Sequence, residues 1–257
     1  MKKLNVIAAA LIAVTTASPV LFAAEQPMSS DQKKQIEQVV HDYLIHNPEV
    51  LIEVSQVLQQ KQQKTMVDQA TTAIGQNAEQ LFMAGTTVAG NPKGSVTLVE
   101  FFDYQCGHCK EMKPVIDELL KADKNLRVIY KEFPIFGKTS ELASRAALAA
   151  AMQGKYDAMH QALLKMSKRM DDAVVMEAAK SAGLDVTKLK KDMDSKEVTD
   201  VLAANRVLAE KLHLMGTPAF IIASTPGGKF KAGSTPSFVP GAASLQTLQD
   251  MIKKAAA

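Results

Sequence analysis

Val96-Thr97-Leu98-Val99-Glu100-Phe101-Phe102-Asp103-Tyr104-Gln105-Cys106-Gly107-His108-Cys109-Lys110-Glu111-Met112-Lys113-Pro114-Val115-Ile116-Asp117-Glu118-Leu119-Leu120 decides the fold. Its first seven residues are apolar toward both faces of an extended chain, the pattern of a central strand buried on both sides. The run from Lys110 to Leu120 reads as a helix, with Pro114 expected to kink it. Between them stands Cys106-Gly107-His108-Cys109, which holds the only two cysteines of the chain. A C-x-x-C at a strand-to-helix junction suits thiol–disulfide exchange. The helix N-terminus favours a thiolate on Cys106, and Cys109 is placed to attack a mixed disulfide formed there.

Other uses of the motif fit less well. A structural zinc site needs four ligands. His41, His46, His160 and His213 are scattered singly, so no metal is expected. A c-type haem site needs a histidine directly after the second cysteine, where Lys110 stands. An inert structural disulfide would close a ring too small to restrain much of the unfolded chain.

The chain starts Met1-Lys2-Lys3, runs apolar from Leu4 to Val14 with Asn5 interrupting, and reaches Ala23-Ala24 before Glu25. Residues 1–24 thus have the charged, apolar and small-residue regions of a secretory signal peptide, cleaved after Ala23 or Ala24. The alternative is an N-terminal membrane anchor, which a stretch this short and alanine-rich disfavours. Export to the periplasm puts the cysteine pair in an oxidising compartment. With no third cysteine, the fold must rest on its core. Of 257 residues, 30 are basic, two of them Lys2 and Lys3, and 27 are acidic. The mature chain is therefore near neutral, and no nucleic-acid partner is expected. A hydrophobic content of 47% without tryptophan fits a helix-rich globular protein.

Residues 25–64 read as an N-terminal helical region. Ser29 or Ser30 caps it. Ile36, Val39, Val40, Tyr43 and Leu44 form one stripe and Val50, Leu51, Val54, Val57 and Leu58 a second, with a break at Asn47-Pro48-Glu49. Two short amphipathic helices bury little alone, so their apolar faces need either the C-terminal domain or a second copy. Gln59 to Lys64 is polar on every face, a solvated spacer, which favours a second copy and a C2 homodimer. Residues 65–94 read as a helical linker that loosens at Asn91-Pro92-Lys93-Gly94. Residues 95–137 and 213–257 form one α/β domain, interrupted by an all-helical insertion at 138–212. Strand, helix, strand, then hairpin and helix is the order of a thioredoxin-like domain.

Phe101-Phe102, Cys106-Gly107-His108-Cys109, Gly216-Thr217-Pro218 and the helical insertion together resemble the DsbA-like disulfide oxidoreductases of the thioredoxin superfamily. The resemblance runs from about Val96 to the C-terminus. Tyr43-Leu44-Ile45-His46-Asn47-Pro48-Glu49-Val50-Leu51 is similar to the extra region of a dimeric DsbA-like subgroup, where it mediates dimerisation. Two positions depart from the oxidase type. Gly-His between the cysteines is the dipeptide of protein disulfide isomerase, and Thr217 before the proline is that of the dimeric isomerases. A potential of roughly −180 mV, between those of DsbA and thioredoxin, is expected.

The resemblance implies a role for each site residue. Cys106 is the nucleophile, with Gly107 beside it and its leaving-group quality set by the helix end and by His108. Cys109 is the resolving cysteine. Thr217 and Pro218, the proline cis, bind the substrate chain as a strand, with Met215 beside them. Phe101 and Phe102 read as core. Period two puts Glu100 on the face of Leu98 and Phe102, where its pKa should rise and where it can take the proton of Cys109. The plainer alternative is a salt-bridged strand glutamate. Lys131, on the face of Ile129 and Phe133, is either the cationic partner of Glu100 or a rim lysine. No cofactor is expected beyond the redox-active Cys106–Cys109 pair.

Three functions compete. The first is an exported oxidoreductase that introduces and isomerises disulfides in unfolded or misoxidised exported proteins. The second is a dedicated oxidase recharged by a membrane quinone reductase. The third is a dimeric chaperone with secondary redox activity. A membrane redox partner of the DsbB or DsbD type is implied for the first two.

Overall fold

The computed structural model describes residues 28–83, 85–166 and 170–257, so the expected signal peptide at 1–24 lies outside the described residues. Ser29 starts the first helix by a reciprocal cap: its hydroxyl accepts from the Gln32 N–H, and Gln32 Oε1 accepts from the Ser29 N–H. Helix α1 (Ser30–His46) ends where Asn47 folds back on the Tyr43 carbonyl, and α2 (Glu49–Gln76) follows Pro48. The chain divides into two compact units, one ending at Val57 and one running from Leu58 to Ala257. In the first, no residue of α1 is buried, and Ile36, Val39, Val40, Tyr43, Leu51, Ile52 and Val54 are all exposed.

The second unit is built on a sheet with strand order β1 (Val88–Gly90), β3 (Leu126–Glu132), β2 (Val96–Phe102), β4 (Ala219–Ser224), β5 (Ser237–Pro240). Strand β2 runs parallel to β3 and antiparallel to β4, and all seven of its residues are buried. Its run of apolar residues serves two cores because alternate side chains face opposite ways. Val96, Leu98 and Phe102 face helix α4 (Gly107–Ala122), the insertion helices α5 (Lys138–Ala151), α6 (Tyr156–Lys165), α7 (Asp172–Ser181) and α8 (Val186–Met193), and the last helix α10 (Leu245–Ala256). Val99 and Phe101 face the other way, onto α3 (Ala78–Phe82) and the end of α9 (Lys196–Lys211). Among the described residues no helix is long and apolar enough to cross a membrane.

The stretch 65–94 does more than link. Ala70, Ala73 and Ile74 at the end of α2, and Leu81 and Phe82 on α3, are buried in the second core, where Phe82 stacks on Phe230 at 5.3 Å. Val88–Gly90 adds an antiparallel edge strand against β3. The expectation of a helical linker is corrected accordingly: a sheet face as apolar as Val99, Phe101, Ile129 and Ile221 must be covered, and this segment covers it. A buried polar seam closes the same end. Arg127 donates to Thr97 Oγ1 at 2.7 Å and to the Phe82 carbonyl at 3.1 Å, and the Thr97 and Thr225 hydroxyls bond at 2.7 Å. Leu81→Ala, at a fully buried residue of this segment, should therefore destabilise the second unit by about 2–5 kcal/mol in urea unfolding. A loss below about 1 kcal/mol would mean that the segment is a tether.

Candidate active site

Strand β2 hands over to α4 through Asp103-Tyr104-Gln105, a turn held by its own aspartate. Asp103 Oδ1 accepts from the Gln105 N–H and the Ser140 hydroxyl, each at 2.7 Å, and Oδ2 accepts from the Ile135 and Phe136 N–H groups at 2.7 and 3.2 Å. The Asp103 carbonyl accepts from the Cys106 N–H at 3.1 Å. Cys106 is thereby fixed as the N-cap of α4, in extended backbone with no side-chain cap bond. The orphan N–H groups and partial positive charge of a helix start favour a negative group at that position. The Cys106 Sγ donates to the Thr217 carbonyl at 3.3 Å, and the Thr217–Pro218 peptide is cis. Gly107 and His108 are exposed on one side of this sulfur, and both cysteines stand as free thiols.

Cys109 lies inside the first turn of α4 and is 2% exposed. Burial pushes its thiol well above the ordinary range, the negative charge of Glu100 adds to this, and the Asp103 backbone partly offsets it. Glu100 is 3% exposed. Burial raises its carboxyl well above the usual range, a charge on Cys106 raises it further, and Lys113 opposes both. Glu100 and the cysteine pair thus act on one another electrostatically, and both Glu100 and Cys109 are biased toward the protonated form.

The structure brings the Thr217 carbonyl, ahead of the cis Pro218, to Cys106 Sγ, and Glu100 bears electrostatically on both cysteines. Met215, 84% exposed, stands on the rim of an apolar groove of about 290 Å³ shared with Thr217, Pro218, Met66 and Val67. His108 instead turns outward, with Nδ1 3.0 Å from Glu111 Oε2. Lys131 is not the partner of Glu100. In the β2–β3 register Glu100 pairs with Tyr130 and Phe101 with Lys131, so Lys131 points to the opposite face. The cation that bears on Glu100 is Lys113, which also pairs with Asp117. It was legible in principle, because it stands four residues after Cys109 on the same face of α4.

Residues 97–253 match the DSBA-like thioredoxin domain, and residues 32–64 match the copper resistance protein ScsC N-terminal domain. The thiol:disulfide interchange protein DsbA of Bordetella parapertussis is 29% identical over 171 residues, 65% of this chain and 78% of that protein. Salmonella enterica Typhimurium BcfH is similar in structure at a TM-score of 0.71 and 31% identity, over 88% of this chain and 97% of that one. A thioredoxin-like oxidoreductase from Silicibacter pomeroyi DSS-3 is 40% identical, with a TM-score of 0.63 over 70% of this chain and 97% of that one. The Na(+)/H(+) antiporter NhaA 3 of Salinispora tropica also matches, at 27% identity over 137 residues, but the chain spans only 21% of its length.

The folded state prefers Glu100 neutral, so the stability it contributes is fully present below the unfolded value of about 4.5 and is lost as the pH rises through the higher folded value. Glu100→Gln cannot ionise. Its urea midpoint should exceed that of the wild type at neutral pH, and the gap should close in acid below about pH 4.5. Equal midpoints at neutral pH would mean that Glu100 is solvated or fully compensated.

Proposed function

The chain belongs to the DSBA-like thioredoxin domain family, and from that premise we propose that it is an exported thiol–disulfide oxidoreductase that introduces and isomerises disulfide bonds in other proteins through Cys106-Gly107-His108-Cys109. The observation that carries the reading is the Cys106 sulfur at the start of α4, 3.3 Å from the Thr217 carbonyl, over a Cys109 buried against Glu100. In oxidation, a substrate thiolate attacks Cys106 Sγ in the Cys106–Cys109 disulfide. That bond breaks, and its electron pair leaves on the Cys109 sulfur, which takes a proton from Glu100. A second substrate thiolate attacks the substrate sulfur of the mixed disulfide, and Cys106 departs with the electron pair. The substrate loses two electrons and the cysteine pair gains them, so the pair itself is the carrier and no further cofactor enters. In isomerisation, the Cys106 thiolate attacks a wrong disulfide, forming a mixed disulfide and freeing one substrate thiolate. That thiolate exchanges with another substrate disulfide. The thiolate released there attacks the substrate sulfur of the mixed disulfide and expels Cys106 as a thiolate. Cys109 resolves a stalled intermediate after passing its proton to Glu100.

Thr217, Pro218 and Met215 form the wall on which the substrate chain lies, and unfolded or misoxidised exported proteins are the substrates. Recharging falls to a membrane redox partner of the DsbB or DsbD type. The first 24 residues direct export to the periplasm. The exposed apolar side chains of α1 and of α2 before Leu58 support self-association through the N-terminal unit, with a homodimer as the simplest closed symmetry. A pair of catalytic units held together suits isomerisation, where one substrate must be engaged repeatedly.

The test is reactivation of a scrambled, fully oxidised multi-disulfide substrate by the mature protein, beside a version lacking residues 25–57. The full-length protein should sediment as an oligomer and reshuffle the substrate, and the shortened one should sediment as a monomer and lose roughly tenfold or more of that activity. If neither reshuffles while both oxidise a reduced substrate, the protein is a dedicated oxidase. If suppression of substrate aggregation survives Cys106→Ala at the full level, the chaperone reading takes precedence.

A further inference from the structure

Two residues before Cys106, the side chain of Tyr104 leaves the reactive turn for the core and is fully buried. Its hydroxyl donates to Glu132 Oε1 at 3.0 Å. The same Oε1 accepts from the Tyr156 hydroxyl at 2.8 Å. Tyr104 has one proton and spends it on Glu132, so the 3.0 Å contact between its oxygen and His160 Nδ1 is a bond donated by the histidine. Glu132 ends β3, level with Phe102 of β2, and Tyr156 and His160 belong to α6 of the insertion. One carboxyl oxygen therefore joins the turn before Cys106, the sheet and the helical insertion.

The rest of the carboxyl is unusual. Glu132 Oε2 is buried with no partner at hydrogen-bond distance; Ser144 Oγ, the hydroxyl that acts on this carboxyl, and His160 Nε2 are likewise unpartnered. An ionised oxygen left bare in a closed core is expensive, whereas a carboxylic acid with its proton on Oε2 is much less so. We propose that Glu132 is a positioning residue for the thiol chemistry: through Tyr104 it fixes the turn that presents Cys106, and through Tyr156 it ties that turn to the helical insertion. The proposal rests on the oxidoreductase reading above, and Glu132 works in it as a neutral acid. Burial pushes its carboxyl up to about 8, against the pull of the Ser144 hydroxyl and the two phenols. The groups that face it are Asp103 on the turn, Glu100 on β2, Ser144 on α5, and Tyr156 and His160 on α6, while Lys113 on α4 bears on Glu100 and His160. No cation is paired with Glu132 among the described residues. When it ionises, Oε2 must be hydrated, and water drawn to it loosens the packing that holds Tyr104.

The experiment is alkylation of the reduced full-length protein by iodoacetamide across the pH range, read at Cys106 by peptide mapping, in wild type, Glu132→Gln and Glu132→Ala. Glutamine keeps an acceptor for both phenols and cannot ionise. Wild type and Glu132→Gln should react within about twofold of each other near pH 6, and their rate ratio should fall roughly fivefold by about pH 9.5 as only the wild type ionises. Glu132→Ala should react differently already near pH 6, because both phenols lose their acceptor. A wild-type to Glu132→Gln ratio that stays flat or rises with pH overturns the proposal, as does a Glu132→Gln rate near pH 6 equal to that of Glu132→Ala. The glutamine comparison decides even where the alanine variant fails to fold. Oxidation of a reduced substrate by the wild type, measured alongside, tests the oxidoreductase reading separately. Its absence sinks that reading while the alkylation ratio still decides for Glu132.

Discussion

Every residue of β2 is buried, and one of them is a glutamate. A carboxyl in that position is favoured neutral or opposed by a cation, and both influences are present: burial biases Glu100 toward the protonated form, and Lys113 opposes that bias. The arrangement around the cysteines follows from it. Cys109 is buried on the same face and held as a thiol by the same loss of solvent, so the two groups compete for a proton within one small volume. Cys106, only a helical turn away, sits at the opening end of α4 with its sulfur on the Thr217 carbonyl. The two sulfurs therefore differ: Cys106, 5% exposed, caps α4 on the Thr217 carbonyl, while Cys109, 2% exposed, lies within the helix and is biased toward the thiol.

The turn between β2 and α4 carries the mechanical side of the same division. Asp103 bolts it to residues 135–140, and Tyr104 bolts it to Glu132 and His160. Both anchors end on or beside the helical insertion, so the insertion is part of what holds the reactive cysteine still, in addition to covering the sheet. The N-terminal unit has the opposite character. Its apolar residues are exposed where the second unit buries its own.

Much of this was legible in the sequence because it rests on local pattern. The seven-residue apolar run, the C-x-x-C at its end, the Asn47-Pro48 break and the serine cap at Ser29 all act within a few residues. Gly216-Thr217-Pro218 became legible only through a resemblance, since nothing near it in sequence says that it meets Cys106. The face of Lys131 follows from period two within β3, but which β2 side chains share that face depends on the register of β3 against β2, a tertiary quantity, so the sequence leaves its relation to Glu100 open. The 65–94 segment reads as a linker in sequence because Ala70 and Ala73 carry little hydrophobic signal and β1 is only three residues long. Glu132 and Tyr104 gave no signal alone, because their bonds span 28 residues.

The division of labour between the two sulfurs is the central claim, and covalent trapping tests it most directly. Full-length Cys109→Ser and Cys106→Ser proteins, reduced and mixed with a disulfide-bonded peptide, would be compared by intact mass. The account predicts a persistent mixed disulfide through Cys106 in the Cys109→Ser protein and none in the Cys106→Ser protein, whose remaining thiol is buried and held protonated. An adduct through Cys109, or equal adducts in both proteins, would contradict it.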